Sequence, residues 1–87
     1  MSLSLILSAL SDKNRQKIIQ SLKKAELTVG NIAKNLDITS ATLSHHLDVL
    51  RKNGLISSRR EGRNIFYSLN LSVADELLIE ITKLLKK

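Results

Sequence analysis

The sequence predicts a mainly α chain with a small β-hairpin: about five helices and a wing, arranged as a winged helix-turn-helix. Three observations lead there. Apolar residues recur at helical spacing from Leu3 to Leu50, they alternate in two short runs after Gly54, and helical spacing returns from about Ser72. With 87 residues the chain has room for one small domain, residues 1–87, whose margin of stability is thin.

Leu3, Ile6, Leu7 and Leu10 mark a short apolar helix at the N-terminus. Ser11 and Asp12 offer an N-cap for a second, with Ile18, Ile19, Leu22 and Ala25 on one face and Lys13, Arg15, Lys17, Lys23 and Lys24 largely off it. Thr28 can cap a third helix that turns Val29, Ile32, Ala33 and Leu36 inward. The break Asp37-Ile38-Thr39-Ser40 has the length of a tight turn between packed helices. Thr39 or Ser40 then caps a fourth helix, which Asn53-Gly54 ends, with Gly54 suited to the left-handed C′ position.

Beyond Gly54, Leu55–Arg60 and Ile65–Asn70 read as strands joined by the glycine-bearing turn Glu61-Gly62-Arg63-Asn64. This hairpin is the expected wing. The closing helix carries Ala74, Leu77, Leu78, Ile81, Leu84 and Leu85 as a broad apolar stripe. Part of it is expected to lie under the N-terminal helix, and the rest under the same helix of a second subunit. The predicted assembly is therefore a homodimer through first and last helices.

Composition narrows the partner. A formal charge of +6 on so short a chain points to a polyanion, nucleic acid before an anionic membrane surface. Aromatic content is 2%, Phe66 and Tyr67 alone, so stacking platforms for single-stranded RNA are lacking. The absence of cysteine excludes disulfides and thiolate metal sites. No apolar run is long enough to span a bilayer, and Met1 to Leu10 lacks the basic start and cleavage segment of a signal peptide. The expected location is cytoplasmic.

The fourth helix separates its faces cleanly. Leu43, His46, Leu47 and Leu50 share one side, and Ala41, Ser44, His45, Asp48 and Lys52 the other, with Thr42 at the boundary. The outer face is small and polar toward its N-terminus, as entry into a major groove about 12 Å wide requires. Ala41 permits close approach, the hydroxyls of Ser40, Thr42 and Ser44 can bond phosphates or base edges, and His45 can donate to guanine or phosphate. His46 is expected to be partly buried and hydrogen-bonded. Adjacent helical histidines point about 100° apart and cannot converge on one metal, so no metal or cofactor is expected. Arg59, Arg60 and Arg63 at the hairpin suit phosphate contact or a narrow minor groove. Glycines 30, 54 and 62 form no phosphate loop and no serine stands in a nucleophile context, so no enzyme is expected.

These residues also carry a resemblance. Ala9 to Ile19 resembles the opening of ArsR-type bacterial repressors, with Lys13 and Asn14 where that family usually has proline and threonine. Ser40 to Ile56 is similar to its recognition helix, and Ser57 to Leu69 to its wing. The resemblance covers nearly the whole chain and implies a dimeric, DNA-binding winged-helix repressor. Metal-sensing members carry Glu-Leu-Cys-Val-Cys where this chain has Glu26-Leu27-Thr28-Val29-Gly30. Others use Asp and His on the C-terminal helices, whereas this last helix has Asp75, Glu76 and Glu80 without histidine. The pattern is that of the autorepressor-like branch without metal-sensing ligands. Release from DNA is then left to a protein partner, a small-molecule inducer or the chain's own concentration. The rival reading is a winged-helix protein-interaction module, which predicts apolar anchors on the outer face of the fourth helix.

Overall fold

The computed structural model describes residues 2–87, so Met1 of the apolar N-terminal run lies outside it. The order is α1 (Leu3–Leu10), α2 (Lys13–Leu22), β1 (Leu27–Thr28), α3 (Val29–Ala33), α4 (Ser40–Lys52), β2 (Ile56–Glu61), β3 (Asn64–Leu69) and α5 (Ser72–Leu85). The helix starts follow from side-chain caps. Ser2, Asp12, Thr28 and Thr39 each accept a backbone N–H from the first turn of the helix they precede, which otherwise lacks a partner.

Helix α4 ends in a Schellman motif. Leu55 N–H donates to Leu50 C=O and Gly54 N–H to Arg51 C=O, both at 3.0 Å. Gly54 takes φ 73°, a left-handed conformation costly for any residue with a Cβ. Leu50 and Leu55 are both buried, the apolar contact expected of this motif.

The core is aliphatic: Ile6, Ala9, Ile18, Leu22, Ile32, Leu43, Leu47, Leu50, Leu55 and Ile56. It joins α1, α2, α3 and α4 to the base of β2. The sheet contains three strands in the order β1-β3-β2, all antiparallel neighbours, not the hairpin alone. Leu27 and Thr28 pair with Tyr67 and Phe66, and this short strand is the element the sequence pattern does not reveal. The Glu61↔Asn64 pairing leaves Gly62 and Arg63 as a two-residue turn. Gly62 has φ 63° and Arg63 does not have positive φ, the combination of a type II′ turn, which follows the twist of paired strands.

Several inward placements differ from expectation. Ala25 is exposed because α2 stops at Leu22, before its apolar period is complete, and Ala33, the last residue of α3, is exposed as well. Leu7 is 45% exposed, while Ala9, a smaller residue, turns into the core. Helix α5 contacts α1, yet none of its 14 residues is buried, and Leu78, Ile79, Leu84 and Leu85 are 55–78% exposed. Val73, Leu77 and Ile81 are half-buried and Ala74 is exposed, so much of the apolar stripe faces outward.

Candidate nucleic-acid interface

The amphipathic split of α4 decides what it can present. Leu43, His46, Leu47 and Leu50 are all buried, which fixes the rotation of the helix about its axis. The same rotation puts Ser40, Ala41, Thr42, Ser44 and His45 on the exposed side. Thr39, rather than Ser40, is the N-cap: its Oγ1 accepts Thr42 N–H at 3.1 Å and donates to Thr42 Oγ1 at 2.9 Å. Ser40 is thus the first helical residue, with its hydroxyl not consumed by capping. Among the described residues the side chains of Ser40, Ser44 and His45 make no hydrogen bond within the chain. The N-terminal half of this face is small, polar and free to bond something else.

Its C-terminal half is occupied by its own charges. Asp48 receives Arg51 Nη2 and Lys52 Nζ, both at 2.9 Å, at i+3 and i+4. Those hydrogen bonds, Lys52 first, hold the Asp48 carboxyl below its ordinary range. The acid on this outer face is therefore balanced locally.

His46 lies where the apolar side predicts, 7% exposed and hydrogen-bonded. Its Nδ1 is 3.0 Å from Arg15 Nη1 and its Nε2 3.8 Å from Asp12 Oδ2. Burial is the largest influence and pushes the imidazole below its ordinary value, against the attraction of Asp12.

The wing arginines are not equivalent. Cross-strand partners share a sheet face, so Arg60 projects with Ile65 and Arg59 with Phe66 on opposite faces. Arg59 donates through Nε and Nη2 to Glu26 and through Nη1 to Glu61, with contacts of 2.6 Å on each side. Its guanidinium also lies 4.7 Å from the Phe66 ring centroid. Those carboxylates, Glu26 first, raise its already high pKa. Arg60 and Arg63 are exposed and have no acidic partner among the described residues. Sequence reasoning grouped the three; Glu26 lies 33 positions from Arg59, and only the pairing of β1 with β3 brings it near.

A metal centre does not fit these residues. Thr28 Oγ1 is committed to capping α3 at Asn31 N–H, and Gly30 offers no side chain. No group of three or more His, Cys, Asp or Glu side chains among the described residues could hold an ion.

A buried-backed helix with a small polar outer face, a six-residue connection from α3 before it (residues 34–39, longer than the expected tight turn) and a basic hairpin after it defines a winged-helix regulator of transcription. Comparison with known proteins agrees. Residues 12–58 match the family described as bacterial regulatory protein, arsR family. The chain is 39% identical over 71 residues to the transcriptional repressor SdpR of Bacillus subtilis, covering 82% of this chain and 79% of that protein. It is 34% identical over 76 residues to the transcriptional activator HlyU of Vibrio cholerae, covering 87% and 69% respectively. An ArsR-like transcriptional regulator from Rhodococcus superposes with a TM-score of 0.84 at 26% identity, over 94% of this chain and 77% of that one. The chain belongs to the arsR family of bacterial regulatory proteins and is a DNA-binding transcription regulator.

Proposed function

We propose that this chain, as a single domain, is a cytoplasmic repressor of its own promoter with no catalytic role, binding a palindromic operator as a homodimer. The observation that carries the reading is the exposed face of Ser40, Ala41, Thr42, Ser44 and His45 on a helix whose opposite face is buried, with the side chains of Ser40, Ser44 and His45 in no hydrogen bond among the described residues. These residues discriminate bases in the major groove. Arg60 and Arg63 contact phosphates or the minor groove, and Arg59 holds the wing in place unless its carboxylates release it. Helices α1 and α5 form the contact between protomers, covering Leu5, Leu78, Ile79 and Leu84. A 14-residue helix with no buried residue is marginal in isolation, which supports a second subunit against it. Half-sites then lie about 10 bp apart or one further turn. Repression is favoured by the resemblance to SdpR. No apolar anchor stands on the outer face of α4, which disfavours a protein-docking module.

Fluorescence anisotropy tests this with labelled duplex from upstream of the chain's own gene, against scrambled duplex, across a salt series. Preference for the upstream duplex that survives moderate salt, saturating at two chains per site, is expected. Equal binding to both that vanishes as salt rises would overturn the reading.

A further inference from the structure

Among the described residues His46 is the one buried polar side chain, and its partners lie behind α4, away from the face offered to DNA. Arg15 Nη1 donates to His46 Nδ1 at 3.0 Å; a guanidinium only donates, so Nδ1 carries no proton and the neutral ring keeps its proton on Nε2, toward Asp12. The same guanidinium donates through Nε to Ala9 C=O at 2.7 Å and through Nη2 to Ser8 C=O at 3.3 Å. Both carbonyls belong to the last turn of α1, whose C=O groups lack the N–H donors of a continuing helix; Ser8 C=O also accepts from Ser11. One side chain of α2 thus ties the end of α1 to the middle of α4.

We propose that Arg15 and His46 are positioning residues that hold the recognition helix at a fixed angle to α1, and that protonation of His46 releases this link and weakens operator reading in acid. The inference rests on the reading of α4 as the recognition helix and α1 as part of the protomer contact. Two recognition helices must reach grooves about 34–36 Å apart. An angular error at each misplaces both base-reading faces, while phosphate attraction to scrambled DNA tolerates it.

Protonation puts a hydrogen on Nδ1, facing a donor that cannot accept it and a like charge. The charged and titratable groups facing the ring are Asp12 and Arg15 from α2 and His45 from α4, whose ring centroid is 6.0 Å away; α1 enters through the two carbonyls that hold Arg15. Asp12 favours the proton; burial, Arg15 and His45 oppose it, and burial is the largest influence. The ring is accordingly neutral at neutral pH and the link is closed.

The test compares wild type, His46→Gln and His46→Leu as full chains; His45 is present in all three, so differences between them report on His46. Anisotropy on upstream and scrambled duplexes is measured at about pH 7.5 and about pH 5.5, either side of the ordinary imidazole value. His46→Leu is expected to lose roughly tenfold in preference for the upstream duplex with scrambled binding unchanged. His46→Gln, whose amide oxygen accepts from Arg15, restores it. The His46 protein loses preference between the two pH values and the Gln protein does not. If His46→Leu fails to fold, Arg15→Lys replaces it, keeping the charge but unable to reach Ala9 and His46 together. Unchanged preference in the link-broken variant at both pH values overturns the inference, as does equal loss on both duplexes without rescue by Gln. If the unbroken protein itself prefers neither duplex, the reading of α4 falls and this inference falls with it.

Discussion

Arg59 and Glu26, 33 residues apart, close a bidentate ion pair across the sheet, with Arg59 Nε 3.0 Å from Oε2 and Nη2 2.6 Å from Oε1. Glu61 takes the remaining nitrogen, so this arginine faces two carboxylates while Arg60 and Arg63 face none among the described residues. Replacing Glu26 by Gln removes one of those carboxylates and frees part of the guanidinium. Binding to every duplex is expected to strengthen, and the slope of log affinity against log salt to steepen by about 0.9 if one new phosphate is reached. An unchanged slope would show that Arg59 stands clear of the backbone even when released.

Base reading and phosphate attraction separate in a second pair of variants. His45→Ala is expected to reduce discrimination between upstream and scrambled duplex by ~1–3 kcal/mol with little change in salt dependence. Arg60→Ala should weaken both duplexes alike and flatten the salt slope by about 0.9. Identical behaviour of the two variants on the two duplexes would refute this division of labour.

Leu78 on α5 is 63% exposed in the single chain and contributes nothing to the core. Leu78→Glu is therefore expected to leave the core packing intact while converting the protein to a monomer in analytical ultracentrifugation, with a lower melting temperature because α5 loses the subunit that supports it. Upstream-duplex binding should fall with it. A dimer that persists in Leu78→Glu and in Leu84→Glu would place the protomer contact elsewhere.

Stability should decline in acid in two stages. Burial holds His46 below its ordinary value, so the unfolded chain binds more protons through that interval. The contribution is complete above the ordinary imidazole value, about 6.5, and is lost as pH falls through the lower folded value. Asp12 is held low, first by the Arg15 backbone N–H it caps, and its contribution disappears at still lower pH. Thermal melts from about pH 8 to about pH 3 should show both declines, the first of them absent from His46→Gln. A melting temperature flat across the histidine interval would contradict the neutral, buried assignment.

Gly54→Ala forces a side chain into a φ of 73°, with Val73 Cγ2 at 3.6 Å from the new Cβ. The contact is ordinary, so backbone strain dominates, and a loss of ~1–2 kcal/mol in denaturant unfolding is expected. A neutral result would mean that the Schellman turn relaxes without it.

Much of this was legible in residues close together in sequence. Asp12 and Thr28 announced helix starts, Asn53-Gly54 a helix end, and the period of Leu43, Leu47 and Leu50 placed Ser44 and His45 outside. What escaped depended on distant partners. The two-residue strand β1 is too short to show alternation, and exists because Leu27 and Thr28 find β3. The distinction between Arg59 and Arg60 requires the register, since adjacent strand residues point to opposite faces. Likewise, His46 was recognisable as inward, but its link to Ser8 and Ala9 runs through an arginine on another helix. Ala25 was misplaced because periodicity does not say where a helix stops.

Because Thr39 takes the capping duty, Ser40 is spared it, and Ala41, Ser44 and His45 likewise bear no part in the core. Under the proposed function, folding and reading are thereby written in different letters of one helix. Exchanges at these four positions leave the scaffold untouched, since exposed sites of this kind usually shift stability by less than about 0.5 kcal/mol. Lineages that duplicate such a gene can therefore drift to new target sequences without passing through unstable ancestors, and a library randomised at the same positions offers a direct route to retargeting.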